Sequence, residues 1–261
     1  MPPPEPPTLL ADLAPGWTAT VAYQLIPEIT TWRLSGPGGA VRFAKVDRAR
    51  RYPSLEGEAE RMVWAAAYLP VPVVVDLVRR DDCAVLITEG LSGRDATDPG
   101  WRADLPGLVR TLGAGLAAFH EAVEEEWCPF RFDLGRALDH VHHRVAGNHI
   151  DPAGFHQPHQ HLTPAAALDR LEATAPASED LVVCHGDYCA PNVLVERGRV
   201  TGYVDLGELG VADRWWDVAV GAWSVGWNFG PEHEALFYES YGIEPDVDRI
   251  AFYRLLYDLV S

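Results

Sequence analysis

The deciding stretch runs Cys184-His185-Gly186-Asp187-Tyr188-Cys189-Ala190-Pro191-Asn192-Val193-Leu194-Val195 and closes, after a short link, on Gly202-Tyr203-Val204-Asp205. Asp187 and Asn192 stand five residues apart, with Pro191 between them and the apolar residues 193–195 directly after. A second apolar run, residues 200–204, ends on Asp205. The link Glu196-Arg197-Gly198-Arg199 predicts that the two runs fold into a hairpin. Such a hairpin carries Asp205 back beside Asn192, with Asp187 on the loop before it. A carboxylate, an amide oxygen and a second carboxylate then converge on one small volume. That set suits a base acting on a hydroxyl, together with oxygen ligands for Mg²⁺ on nucleotide phosphates.

The residues before this stretch supply what such a set requires. Residues 18–23, 31–34 and 41–46 read as short strands, with Gly36-Pro37-Gly38-Gly39 as the turn between the last two. Lys45 sits in an apolar strand end, beside Phe43, Ala44 and Val46. The next segment, residues 54–68, has the spacing of a helix, with Glu58 and Glu60 near its start. A strand lysine held by a helix glutamate and aimed at the α/β-phosphates is the ion pair of protein kinases. Pro70-Val71-Pro72 ends the helix. Residues 73–78 and 84–88 are two further strands, giving five strands and one helix before residue 90. Composition changes at Glu89-Gly90-Leu91-Ser92-Gly93, and the boundary between lobes 1–89 and 90–261 is placed there, with Glu89 and Leu91 as hinge contacts for the nucleotide base.

Beyond the hinge the chain reads as helical. Residues 105–123 carry Leu108, Val109, Leu112, Leu116 and Phe119 on one face, and His120 reads as a packed or capping residue. Residues 137–161 hold His140, His142, His143, His149, His156, His159 and His161. His156, His159 and His161 have a spacing that brings two or three onto one metal, yet no nearby acidic or cysteine ligand completes a set and Pro158 interrupts any helix. A mobile polar insertion over the site is the expectation. Thr163-Pro164 reads as a helix start. Asp213 and Asp217 are expected to cap and open the helix after the hairpin, and two more helices follow at 232–241 and from 246 onward.

Composition narrows the function classes. The 261 residues are 48% apolar, enough for a two-lobed molecule with a real core, and no apolar run approaches the ~20 residues of a membrane span. The proline-rich start predicts an extended or disordered tail over 1–16. Cys83, Cys128, Cys184 and Cys189 show neither disulfide nor zinc spacing, which suits reduced thiols in the cytoplasm. A net charge of −17, from 38 acidic and 21 basic residues, argues against a nucleic-acid partner. The acidic field attracts polycationic small molecules, and it equally serves solubility.

At residues 185–192 and at Val204-Asp205-Leu206-Gly207 the sequence resembles the aminoglycoside phosphotransferases, especially those acting on 3′- or 3″-hydroxyls. The likeness extends to Ala44-Lys45, Glu58, Leu69-Pro70-Val71-Pro72, Ile87-Thr88-Glu89, Cys128-Pro129-Phe130, Ala212-Asp213-Arg214 and residues 251–256. It implies an α+β, two-lobed protein-kinase-like fold, with a five-stranded N-lobe sheet, one helix and a mainly helical C-lobe. It implies a kinase that binds ATP or GTP with Mg²⁺ and phosphorylates an antibiotic, so conferring resistance. Position by position, the resemblance gives Lys45 the α/β-phosphates, Glu58 the positioning of Lys45, Phe43 the purine face, Asp187 the acceptor hydroxyl, and Asn192 with Asp205 the metal.

Three departures concern the loop at 25–30, Glu208 and the C-terminal residues. The loop lacks the usual glycine or serine; Glu208 stands where relatives usually have arginine; and the chain ends Tyr257-Asp258-Leu259-Val260-Ser261 where 3′-type members usually end in an acidic pair and two phenylalanines. Glu208, Asp258 and Ser261 are accordingly the candidate acceptor contacts. The departures leave open a nucleoside antibiotic of the capuramycin type, or another small hydroxyl compound, as acceptor. A nucleotide-binding pseudokinase is the non-enzyme alternative, although every chemical position is filled.

Overall fold

A computed structural model describes residues 7–49 and 52–260, apart from the side chain of Leu25. The chain divides into two compact units, one formed by the chain up to Gly93 together with Thr201–Gly207, the other by Arg94–Val200 and Glu208 onward. The boundary thus falls four residues beyond the expected 89, and a later segment containing Asp205 joins the first unit rather than the second.

In the first unit, β1 (Thr18–Ile26), β2 (Ile29–Ser35), β3 (Val41–Asp47), β4 (Val74–Arg79) and β5 (Ala84–Glu89) form one antiparallel sheet in the order β1-β2-β3-β5-β4. The period-two alternation of β3 sends Ala44 and Val46 into the core with Trp32, Leu34, Val85 and Ile87, and sends Lys45 to the opposite face. The helix α2 (Leu55–Ala65) lies against β4 and β5, and Ser54 caps it by accepting from the Gly57 N–H at 3.2 Å.

The N-terminal expectation needs correction. Residues 1–6 of the predicted tail lie outside the described residues, and residues 8–13 form a helix, α1 (Thr8–Leu13). Leu10 and Ala14 are buried against the sheet, with Leu9 and Leu13 partly so. Past the prolines the apolar residues recur at helical spacing, and burying them outweighs the extended bias of the preceding composition.

The second unit contains α3 (Leu105–Glu121), α4 (Leu134–Ala146), α5 (Pro164–Ala173), α6 (Trp215–Phe229), α7 (Glu234–Tyr241) and α8 (Val247–Val260). Residues 215–225 of α6 are all buried, as expected for a helix apolar around its whole circumference. It packs on α3, α7 and α8, and α8 also meets α4 and α5. Short strands complete the unit. β6 (Arg94–Asp95) pairs with β8 (Val193–Glu196), and β7 (Leu181–Cys184) pairs antiparallel with β10 (Gly210–Asp213). β9 (Arg199–Tyr203) follows β8 in one three-stranded sheet, as the hairpin reading requires, and leads the chain into the first unit.

The first part of the histidine-rich region, up to Ala146, belongs to the helix α4 rather than to an irregular insertion. Asp133 caps α4 through the Arg136 N–H, and Ala137 and Val141 are buried one turn apart. Four-residue spacing of small apolar side chains among histidines carries a helical face that the polar composition masks.

Candidate active site

The functional side chains form two constellations, one in each unit. In the first unit, Lys45 Nζ lies 2.9 Å from Glu58 Oε2 and 2.7 Å from Asp205 Oδ1. Glu58 is 4% exposed, so its carboxylate depends on that ammonium for compensation. Burial works against the charge on Lys45, but the carboxylates of Asp205 and Glu58 outweigh it and hold the lysine pKa above its ordinary value. Burial pushes Glu58 upward against the pull of Lys45, with repulsion from Asp205 adding to the rise. Asp205 itself adopts φ +62°, a left-handed conformation that is uncommon outside glycine. Gly207, two residues on, has no room for a side chain, because a Cβ there would lie 2.5 Å from Pro53 Cγ.

The other nominated nucleotide contacts are embedded in the sheet. Phe43 is half-buried on β3, opposite Arg33 and Thr88. The Glu89 carboxylate is ion-paired to Arg42 at 2.9 Å and its N–H donates to the Val73 carbonyl at 2.9 Å. The Gly90 N–H donates to Val41, and Leu91 follows directly, half-buried.

In the second unit, β7 delivers the loop at 185–192 onto α6. Asp217 is fully buried and accepts from two successive loop amides, His185 N–H at 2.6 Å on Oδ2 and Gly186 N–H at 3.0 Å on Oδ1. Its Oδ2 also lies 3.0 Å from His120 Nε2, and His120 Nδ1 lies 2.8 Å from the Tyr241 hydroxyl. Trp216 Nε1 donates to the Gly186 carbonyl, and Ser224 Oγ accepts from the Ala190 N–H at 2.9 Å. Gly186 has φ +89°, and a Cβ there would lie 2.5 Å from Glu208 Cβ. Backbone conformation and space therefore both demand glycine.

This scaffold presents Asp187. Asn192 Nδ2 donates to Asp187 Oδ2 at 2.8 Å and to its carbonyl at 3.0 Å, which leaves the amide oxygen as the end of Asn192 suited to a cation. Tyr257, on α8, donates to Asp187 Oδ1 at 3.0 Å. Cys189 Sγ lies 3.7 Å from the Tyr257 hydroxyl, and burial pushes the Cys189 thiol well above its ordinary pKa.

A match to the model of the phosphotransferase enzyme family runs over residues 28–253. The chain belongs to this family. An aminoglycoside 3′-phosphotransferase of Streptomyces fradiae is 37% identical over 211 residues, covering 77% of this chain and 78% of its own. A crystal structure of an aminoglycoside 3′-phosphotransferase of type VIII superposes with a TM-score of 0.87 at 33% identity, covering 97% of both chains. A 3″-type aminoglycoside phosphotransferase of Streptomyces rimosus, in complex with ADP and streptomycin, reaches a TM-score of 0.77 at 28% identity, covering 97% of both chains. The α+β architecture is thus the kinase-like fold of phosphotransferases, and the protein is a phosphotransferase with an alcohol acceptor.

Against this family background the acceptor-side expectations divide. Glu208 is half-buried, packs on Gly186, and its charge helps raise the Tyr257 hydroxyl. Ser261 lies outside the described residues. Asp258 requires correction: its side chain is 2% exposed and turned into the fold. It accepts from the His156 N–H at 3.2 Å, from the His156 ring, and from the His159 ring at 2.5 Å. Burial raises its carboxyl, but the two imidazoles outweigh that and hold it below its ordinary 3.8. Two of the three histidines whose spacing was weighed for a metal, His156 and His159, therefore meet on a carboxylate.

Among the described residues, His120, Cys184 and Asp217 also lie close enough to suggest a metal. His120 and Asp217 are engaged with Tyr241 and the loop amides, and burial holds the Cys184 thiol well above its ordinary pKa, in the protonated form that ligates poorly. All four cysteines are buried. No helix among the described residues is long and apolar enough to cross a membrane.

Sequence reasoning assigned Asp217 to a helix first turn and missed its hold on the loop. It also missed Tyr257. Arg214 rather than Asp213 stands at the cap position of α6, without a side-chain cap; Asp213, one residue earlier, accepts from the Trp215 N–H at 3.0 Å and from Arg249 at 2.6 Å. No local signal marks Asp217 or Tyr257, because their partners lie 31 and 70 residues away.

Proposed function

We propose that this phosphotransferase moves the γ-phosphate of ATP or GTP to a sugar hydroxyl of an aminoglycoside, at a 3′- or 3″-type position, and so confers antibiotic resistance in the cytoplasm. The observation that carries the reading is the Asp187 carboxylate, held on both oxygens, in a chain 37% identical to an aminoglycoside 3′-phosphotransferase. Asp187 accepts the proton of the acceptor hydroxyl as its oxygen bonds to the γ-phosphorus. The bond from that phosphorus to the β-phosphate oxygen breaks, and the nucleoside diphosphate leaves.

The first unit is assigned to the nucleotide and the second to the acceptor. Lys45, held by Glu58, takes the α/β-phosphates, Phe43 lies on the purine, and the Glu89–Leu91 segment meets its edge. Asp205 and Asn192 offer a carboxylate and an amide oxygen, the hard oxygen donors that Mg²⁺ takes. When bound, that ion neutralises charge on the phosphates. Glu208 faces the acceptor, where its charge suits an ammonium group. The engagement of Asp258 by two imidazoles favours a second reading, a less cationic acceptor such as a nucleoside antibiotic.

A panel of aminoglycosides and nucleoside antibiotics, read by mass spectrometry for an added phosphate, tests both readings. Aminoglycoside turnover is the expected result. Turnover confined to another acceptor would replace the first reading with the second.

A further inference from the structure

Each oxygen of the Asp187 carboxylate receives a side-chain hydrogen bond. Asn192 donates to Oδ2 at 2.8 Å and Tyr257 to Oδ1 at 3.0 Å. The first donor belongs to the same loop, while the second arrives from α8, 70 residues along the chain. Two neighbouring rings help aim the Tyr257 side chain, His156 at 6.1 Å and Trp227 at 6.5 Å between centroids. His156 stacks on Trp227 at 4.2 Å and binds Asp258, the residue next to Tyr257. The segment around His156 and His159 therefore pins the turn of α8 that carries the hydroxyl.

The groups facing the pair are unequal as donors. Cys189 lies beside the Tyr257 hydroxyl, Glu208 adds negative charge, and His185 Nδ1 accepts the Asp187 N–H at 3.3 Å. Burial, followed by the negative charge of Asp187, pushes the Tyr257 phenol well above its ordinary value of 10. The phenol thus stays protonated at neutral pH, and a protonated phenol facing a carboxylate donates to it.

We propose that Tyr257 is a positioning residue for phosphoryl transfer: its hydroxyl, opposite Asn192, fixes the plane of the Asp187 carboxylate. The proposal rests on Asp187 being the base. A donor on each oxygen restrains rotation of the carboxylate and so holds it in one orientation toward the acceptor hydroxyl.

The test is Tyr257→Phe, which keeps the ring and deletes the donor. With a turned-over acceptor, kcat is expected to fall about tenfold, the scale of one charge-assisted hydrogen bond, with the KM for nucleotide unchanged. The KM for acceptor should also stay near wild type, so that the loss lies in kcat alone. In an Asp187→Asn background the same Tyr257→Phe change should cost nothing further, because its carboxylate partner is gone. An unchanged kcat in Tyr257→Phe overturns the proposal, as does a further loss of about tenfold in the Asp187→Asn background. Wild-type turnover by Asp187→Asn alone would refute the base and with it the catalytic effect of Tyr257.

Discussion

The two constellations each hold an acidic side chain that we assign to phosphate chemistry, and they do so by different physics. In the first unit a lysine is held between two acidic side chains, Lys45 between Glu58 and Asp205. In the second, the Asp187 carboxylate is held by an amide and a phenol, neither carrying charge. The loop beneath it is in turn fixed by a fully buried carboxylate, Asp217, acting on backbone amides. Charge pairs tolerate rearrangement when a charged ligand arrives, because one anion can replace another around Lys45. Neutral donors on a base leave its proton-accepting charge in place while fixing its direction.

Substitutions can test that contrast in descending order of effect. Asp187→Ala should lower kcat by ~10³-fold or more, because it removes the proposed base. Full residual turnover of the panel acceptors would refute the assignment. Asp217→Ala should destabilise the second unit by about 3 kcal/mol or more, since it strands two buried amides. Asp217→Asn, which keeps one acceptor oxygen, should lose less, and chemical denaturation measures both. If the two variants proved equally stable to wild type, the loop would not depend on its buried carboxylate.

Lys45→Ala should cost roughly a hundredfold in kcat/KM, the scale of one donor aimed at developing phosphate charge. The deficit should appear for nucleotide and leave acceptor affinity near wild type. A loss confined to acceptor affinity would merge the two constellations that the comparison separates.

Asp258→Asn should be the mildest, about 1–2 kcal/mol at neutral pH, for hydrogen bonds to a buried carboxylate. The folded pKa of Asp258 lies below its ordinary 3.8, so its stabilisation is complete above that value and is lost as the pH falls through the lower folded value. The gap in melting temperature between wild type and variant should therefore close in acid. A gap that stayed constant down to pH 2 would contradict the ionic account of the His156–Asp258–His159 cluster.

Much of the first unit was legible because its signals are local. Alternation marks the five strands, Ser54 and the following glutamates mark the start of α2, and an apolar strand with one lysine followed by a helix with a buried glutamate predicts the pair found at 2.9 Å. The loop at 185–192 was legible for a related reason, since Gly186, Asp187 and Asn192 lie close in sequence and need specific residue types. The helix α1 was hidden by its proline-rich neighbourhood, and α4 by its histidines.

Asp258 shows a different failure. As an acidic residue near the C-terminus it read as an exposed acceptor contact, but a histidine about a hundred residues earlier folds onto it. Whether a carboxylate faces a substrate or a partner in its own fold depends on what covers it, which residue type does not reveal.

Residue types and short-range spacing thus determined which side chains are nominated for the chemistry: Lys45 and Glu58, Asp187 and Asn192, and Asp205 at the end of the hairpin. The tertiary structure alone decided that Asp217 holds the loop, that Asp258 is turned inward, and that Tyr257 reaches Asp187. These are contacts between a helix and a distant loop, set by how α6 and α8 pack. A hydrogen bond needs its partners within about 3 Å, and across 31 or 70 residues only packing brings them that close.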